Sequence, residues 1–397
     1  MKDKRLLVVM AILMTTFIGF GIIIPVMPEI IQEADPENAE IHTGWMLAVY
    51  SAISFVLSPL WGGMSDRIGR RPIILVGVLG FAASFLLFGL SAGHLPLMYL
   101  SRILGGFFSG AVASVIVAYV ADITTAENRT KGMGLVGMSI GLGFTIGPGF
   151  GGLLSVVSLE TPFYAASALA LVTFALAAAK LKESLAPEKR KERAAKRVSR
   201  WTAFTGPLKY LYVLAFFVTF TLAGMEATLQ FFGMRRFDVT PLQVGILFFV
   251  CGFVGALVQG GFVRRRIKIG EETKYIAIGL AISALGFFLL LAAHTLWWAT
   301  MSLAVFGIGN ALIRPCVTSL ITQKTTVGQG VASGLSSSMD SLGRIAGPLL
   351  GSFIFTVQMG LPYLLGGILC LAALLLLIRF RQLDKNGLQS EQAGNTD

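Results

Sequence analysis

The chain has 397 residues, of which 55% are apolar and 13% charged, with a mean hydropathy of +0.76. A water-soluble globule of this length needs more polar surface than that, so a soluble enzyme or binding domain is excluded and lipid becomes the main solvent. The net charge of +11 would suit a nucleic acid, but its placement in alternate loops points to a membrane surface and excludes nucleic acid as a partner.

A helix needs about 20 apolar residues to cross a bilayer, and the sequence divides into twelve such spans. The first six are expected near 6–28, 44–62, 72–91, 97–121, 131–155 and 161–180. The second six are expected near 209–232, 241–263, 274–293, 296–321, 329–355 and 361–380. Span 1 has no small-residue cleavage site, so it reads as a retained helix, kinked by Pro25 and Pro28. The 29–40 segment carries Glu29, Glu33, Asp35, Glu37 and Glu40 without a basic residue and reads as an external loop.

Span 2 ends on Gly62-Gly-Met-Ser-Asp66-Arg67-Ile-Gly69-Arg70-Arg71. A short turn between antiparallel spans calls for Gly62 and Gly69, and Asp66 beside three arginines can form charge-assisted contacts that latch one end of the bundle. Span 4 contains Leu100-Ser-Arg102-Ile-Leu-Gly105-Gly106. A charged side chain costs about 2.5–3.5 kcal/mol at the centre of a span, so Arg102 is expected to face a polar cavity or a partner. Span 5 carries Gly143, Gly147, Pro148, Gly151 and Gly152, a spacing that lets helices approach closely, with a bend at the proline.

After span 6 the apolar pattern breaks at Lys180–Lys209, a Lys/Arg-rich linker whose Glu188–Arg197 portion suits a surface helix. The domains expected are therefore a bundle over 1–180, a linker over 181–208, a second bundle over 209–380 and a tail over 381–397. Repetition supports the division: the span 5 glycines recur 200 residues later as Gly343, Gly347-Pro348 and Gly351 in span 11, and Gly260-Gly261 with Arg264–Arg266 echoes the Gly62–Arg71 segment.

Basic residues at the start of the chain, in the Gly62–Arg71 segment, at Arg129 and Lys131, in the linker, at Arg264–Lys268, Lys274 and Lys324, and in the tail all fall on one side, while the opposite loops hold only Arg235 and Arg236. The positive-inside rule then makes both termini cytoplasmic. His42, His94 and His294 fall in external loops, too far out for a central proton relay. Cys251, Cys316 and Cys370 lie in separate spans and form neither a disulfide framework nor a metal site.

The Gly62–Arg71, Leu100–Gly106 and Gly143–Gly152 segments resemble the signatures between helices 2 and 3, in helix 4 and in helix 5 of the major facilitator superfamily, the last found mainly in proton-exchanging exporters. Gly19-Phe-Gly21-Ile-Ile-Ile-Pro25-Val-Met-Pro28 resembles helix 1 of the multidrug exporters of the Bmr and NorA type. The resemblance implies an all-α membrane protein of the major facilitator fold, with twelve transmembrane helices in two six-helix bundles. It further implies a transporter rather than an enzyme, in a bacterial inner membrane, monomeric, driven by a proton gradient without a cofactor, and moving small hydrophobic or cationic substrates.

Carboxylates inside spans are the first candidates for proton coupling. Glu226 in span 7 stands where the Bmr and NorA type has a membrane carboxylate. Asp340 in span 11 is followed four residues later by Arg344, so an ion pair within one helix is expected. Ile313-Arg314-Pro315 in span 10 also matches the Bmr and NorA type, but Ala311 stands where those relatives have an acidic residue, and Thr16 departs from tetracycline exporters. A sugar or metabolite exporter of the same superfamily, a tetracycline exporter and a non-transporting receptor remain as alternatives.

Overall fold

The computed structural model describes residues 4–91, 93–125, 128–185, 203–268, 270–325 and 329–394. Among them the regular structure is entirely helical. In chain order the elements are α1 (Lys4–Ile23), α2 (Met27–Ala34), α3 (Ala39–Ile68), α4 (Arg70–Leu90), α5 (Leu95–Ile123), α6 (Arg129–Leu154), α7 (Thr161–Lys180), α8 (Leu208–Phe237) and α9 (Pro241–Leu257). A π-helical turn (Val258–Val263), α10 (Arg264–Arg266), α11 (Glu272–Leu291), α12 (Leu296–Lys324), α13 (Gln329–Val357) and α14 (Leu361–Gly394) follow.

Eleven of these helices are long and apolar enough to span a membrane. The twelfth predicted span is α13, equally long at 29 residues but diluted by serines, glycines, Asp340 and Arg344. The outward-facing residues confirm the solvent: Leu7, Val172, Trp297, Phe353 and Leu375 are all more than 60% exposed, a surface that water would penalise and acyl chains accept. The kink expected in span 1 is a break, with a turn over 24–26 and Pro28 in the first turn of α2, where its missing N–H costs nothing.

The chain folds as two compact units, one of residues 1–197 with 229–252, the other of 198–228 with 253–397. The expected surface helix at 188–197 lies outside the described residues. In the first unit α1 packs on α6 and α7, and α5 on α3 and α4. The core between them includes Ile12, Ile74, Val112, Val115 and Tyr119, all essentially sealed. In the second unit α11 packs on α12 and α14, around Leu211, Leu280, Val317 and Ile321.

The glycine stripes set the closest contacts. A Cβ at Gly147 would stand 2.7 Å from the Ile18 carbonyl oxygen, and one at Gly151 would stand 2.4 Å from that of Ile22. The α6 stripe therefore lies directly on the α1 backbone. Its echo does the same in the second unit, where a Cβ at Gly347 would meet the Phe220 carbonyl oxygen of α8 at 2.4 Å. The other face of α6 receives α9: Gly152 abuts Pro241, Leu242 and Gly245, and Thr145 abuts Gly252. Gly69 turns the chain between α3 and α4 with φ of 117°, as expected. Gly62, by contrast, lies inside α3, with open space where its Cβ would be, because the helix runs six residues beyond the predicted end of span 2.

Candidate functional site

The charges of the second unit pair between helices. Arg344 of α13 reaches across to Glu226 of α8, Nη1 to Oε2 at 3.2 Å, with side chains 17% and 9% exposed. Asp340, one turn earlier on α13, accepts from the Thr219 hydroxyl of α8 at 2.7 Å and stands 3.6 Å from Arg314 of α12. Arg314 also donates to Thr219 at 3.3 Å. The expected Asp340–Arg344 pair is thus corrected: the partners come from facing helices. Close approach of α8 at Gly343 and Gly347 brings a carboxylate and a hydroxyl nearer than an i,i+4 neighbour on the same helix.

The two pairs differ in solvent access. Asp340 and Arg314 are about 40% exposed and line a small cleft with Ala215, Val218, Val317 and Ser336. Glu226 and Arg344 are withdrawn from it. A buried carboxylate with one close cation can trade its charge for a proton, and the charge it gives up releases the cation.

In the first unit Arg102 is 1% exposed. Its guanidinium lies 4.7 Å from the ring centre of Phe88, 5.3 Å from Phe85 and 5.8 Å from Tyr50. The polar cavity or partner expected for it is replaced by an aromatic cage, and cation–π attraction takes the place of an ion pair. Gly105 and Gly106 make the cage possible, since a Cβ at Gly106 would collide with the Tyr50 carbonyl oxygen at 2.4 Å.

The Gly62–Arg71 segment ties α3, α4 and α5 together at one end of the unit, the basic rim. Arg70 is nearly sealed and pairs with Asp66 at 2.7 Å and Asp122 of α5 at 3.2 Å. Glu183 accepts from the Arg70 and Arg71 backbone N–H groups at 2.9 and 3.1 Å. It thereby caps α4, where a carboxylate is favoured by the helix dipole. Arg71 donates to the Ala178 carbonyl, and Arg67 is exposed. Asp122 and Glu183 were missed from sequence. Asp122 falls one residue past predicted span 4, and Glu183 is one acid beside a lysine-rich linker, so neither carries a signal until the helices are packed.

The opposite, acidic rim also corrects the sequence reading. Glu29 and Glu33 lie in α2, and Glu40 in the first turn of α3 with its side chain only 4% exposed. Arg235 and Arg236 close α8 rather than a loop. His42 is held between the Tyr99 hydroxyl at 2.9 Å and Asp35 at 3.2 Å. None of the three cysteines is in a disulfide. Among the described residues no group of His, Cys, Asp and Glu could hold a metal ion.

The chain matches the family described as Major Facilitator Superfamily over residues 9–331 and 268–395. It is 30% identical to Multidrug resistance protein 2 of Bacillus subtilis (strain 168), covering 93% of each chain. It is 28% identical to the Quinolone resistance protein NorA of Staphylococcus aureus, covering 91% of this chain and 92% of that one. Among solved structures it resembles the human organic anion transporter MFSD10, at 26% identity and a TM-score of 0.72 over 94% of this chain and 98% of that one. A bacterial homologue of the lysosomal transporter Spinster, in an inward-facing unoccupied conformation, shares the fold at 16% identity and a TM-score of 0.77, covering 97% of this chain and 98% of that one.

Proposed function

The chain belongs to the major facilitator superfamily, a multi-pass membrane transporter rather than an enzyme, and on that premise we propose that it exports hydrophobic and cationic drugs in exchange for protons by alternating access. The observation that carries this reading is the Glu226–Arg344 pair: a carboxylate only 9% exposed with a cation at 3.2 Å. When Glu226 is ionised, Arg344 neutralises it and a cationic drug can compete for the same charge. When Glu226 takes a proton the competition is lost and the drug is released. Asp340 and Arg314 line the cleft, joined through the buried Thr219 hydroxyl, and set the charge balance. No cofactor takes part, and the proton gradient supplies the energy.

The same reading places the basic rim in the cytoplasm with both termini, in a bacterial cell membrane, with a single chain as the working unit. The Bacillus and Staphylococcus relatives, described by drug resistance, support the substrate class. Arg314, half-exposed in the cleft, favours a second reading in which amphipathic organic anions are carried as well, in line with the description of the human relative.

Ethidium efflux from cells lacking their own drug pumps, with and without a protonophore, tests the proposal. Efflux that collapses with the protonophore and is absent in Glu226→Gln at matched expression supports it. Efflux indifferent to the protonophore overturns proton coupling. Absence of ethidium transport, with uptake of an anionic dye into inverted vesicles, favours the second reading.

A further inference from the structure

The compact unit of residues 1–197 contains one borrowed piece, residues 229–252, made of the last part of α8, the turn after it and most of α9. Glycine contacts hold its α9 part on α6. Its α8 part is held differently, by polar groups of the acidic rim. Arg235 donates to the Glu40 carboxylate, and Gln230, 1% exposed, donates Nε2 to Glu29 at 3.4 Å.

Glu40 is not a loose surface acid. Its side chain is 4% exposed, while that of Arg235 is 51% exposed, so the carboxylate is the anchored partner and the arginine the one that can leave. The turn before Glu40 is braced by Asn38 donating to Asp35. His42, two residues on, bridges Asp35 to Tyr99 of α5. Five carboxylates and no Lys or Arg lie between residues 29 and 40, so the basic pair ending α8 is the cation of this rim. A buried carboxylate that loses its cation is penalised more than an exposed cation that loses its carboxylate, which makes the closed arrangement self-seeking and its release costly.

We propose that Glu40 and Arg235 form a clasp that holds the end of α8 on the acidic rim and is undone in each transport cycle, making both of them positioning residues that set the balance between rim-closed and rim-open states. The Glu29–Gln230 hydrogen bond is the second, weaker link of the same clasp. The proposal rests on the alternating-access reading, but its primary test needs no substrate.

On a background with Cys251, Cys316 and Cys370 replaced by Ala, Leu229→Cys, at a position 1% exposed and outside the clasp contacts, places one thiol in the same stretch of α8. Its reaction with a membrane-impermeant maleimide is followed in the full-length protein in nanodiscs, where reagent reaches both faces. Glu40→Gln is expected to raise the labelling rate at least about threefold, the range for a partly exposed ion pair with one buried partner. Arg235→Gln, which removes the exposed partner and strands the Glu40 carboxylate, is expected to do the same, whereas Arg235→Lys, which keeps the charge, is expected to label at the parent rate. The exchanged pair Glu40→Arg with Arg235→Glu is expected to return the rate toward the parent.

Unchanged labelling in Arg235→Gln overturns the clasp, whatever the protein carries. A second arm joins Glu40→Cys to Arg235→Cys in a disulfide. Efflux at least about tenfold lower when oxidised, and restored by a thiol reductant, supports the cycle role. Full efflux by the cross-linked protein overturns it. Accelerated labelling without any drug efflux leaves the clasp standing and overturns the drug reading alone.

Discussion

Replacing Glu226 by Gln removes one charge and keeps the side-chain size, so its consequences follow from the pair it breaks. At 3.2 Å and an effective permittivity of about 20, the attraction between Glu226 and Arg344 is about 5 kcal/mol. Desolvation of both groups offsets much of it, and removal of one partner from a buried pair costs about 3–5 kcal/mol. Arg344 keeps 17% exposure and so some access to water, and the lower end applies. An apparent Tm lower by roughly 2–5 °C is expected for the purified protein in detergent. Adding Arg344→Gln should restore about 1–3 kcal/mol of that loss, because the second change removes the stranded charge. Efflux behaves otherwise: a group that must exchange a proton is absent from both variants, so ethidium efflux should fall at least about tenfold in each. If the double variant regains transport together with stability, Glu226 is a structural ion-pair partner and the coupling argument fails. If Glu226→Gln leaves the Tm unchanged, the pair itself is refuted.

Three further outcomes are expected. Gly347→Ala puts a methyl group 2.4 Å from the Phe220 carbonyl oxygen and should cost about 1–3 kcal/mol in thermal stability, whereas Gly137→Ala, with open space around it, should be neutral or gain up to about 1 kcal/mol; equal effects would refute the packing of α13 on α8. Asp122→Asn leaves the nearly sealed Arg70 with Asp66 as its remaining carboxylate and should lower stability by about 1–3 kcal/mol, with a non-additive cycle against Arg70→Gln; strict additivity would show that the two do not interact. The Glu29 carboxyl is raised above its ordinary value by burial and then by the neighbouring charge of Glu33, and it faces Gln230 across the rim that also holds Asp35, His42, Glu40 and Arg235. The closed rim thus binds the Glu29 proton more tightly than an open one, so closure strengthens as pH falls through the raised value and levels off below the ordinary one. With Gln230 intact, the ratio of labelling rates at Leu229→Cys between the parent and Glu29→Gln should therefore fall on acidification, and a ratio independent of pH would remove Glu29 from the clasp.

The sequence by itself determined the solvent, the all-helical class and the internal glycine–proline repeat, because these depend on summed hydropathy and on local spacing. Twenty apolar residues cross lipid wherever they stand, and the Gly147-Pro148 and Gly347-Pro348 repeats declare their own register. It also singled out Glu226, Asp340, Arg314 and Arg344, since ionised groups inside apolar helices are conspicuous. Which of them meet was not legible. An i,i+4 rule applied to α13 paired Asp340 with Arg344, whereas helix contact delivered each a partner from α8 or α12. Tertiary structure also decided the surroundings of Arg102, whose cage draws on three rings from α3 and α4. It alone turned Asp122, Glu183, Glu40 and Arg235 from loop-edge charges into partners in specific contacts. The physical reason is one of range: hydropathy and turn chemistry act between neighbours in the chain, while the pairing of a buried charge is settled by whichever opposite charge the packed helices bring within about 4 Å, and that distance is written in no local pattern.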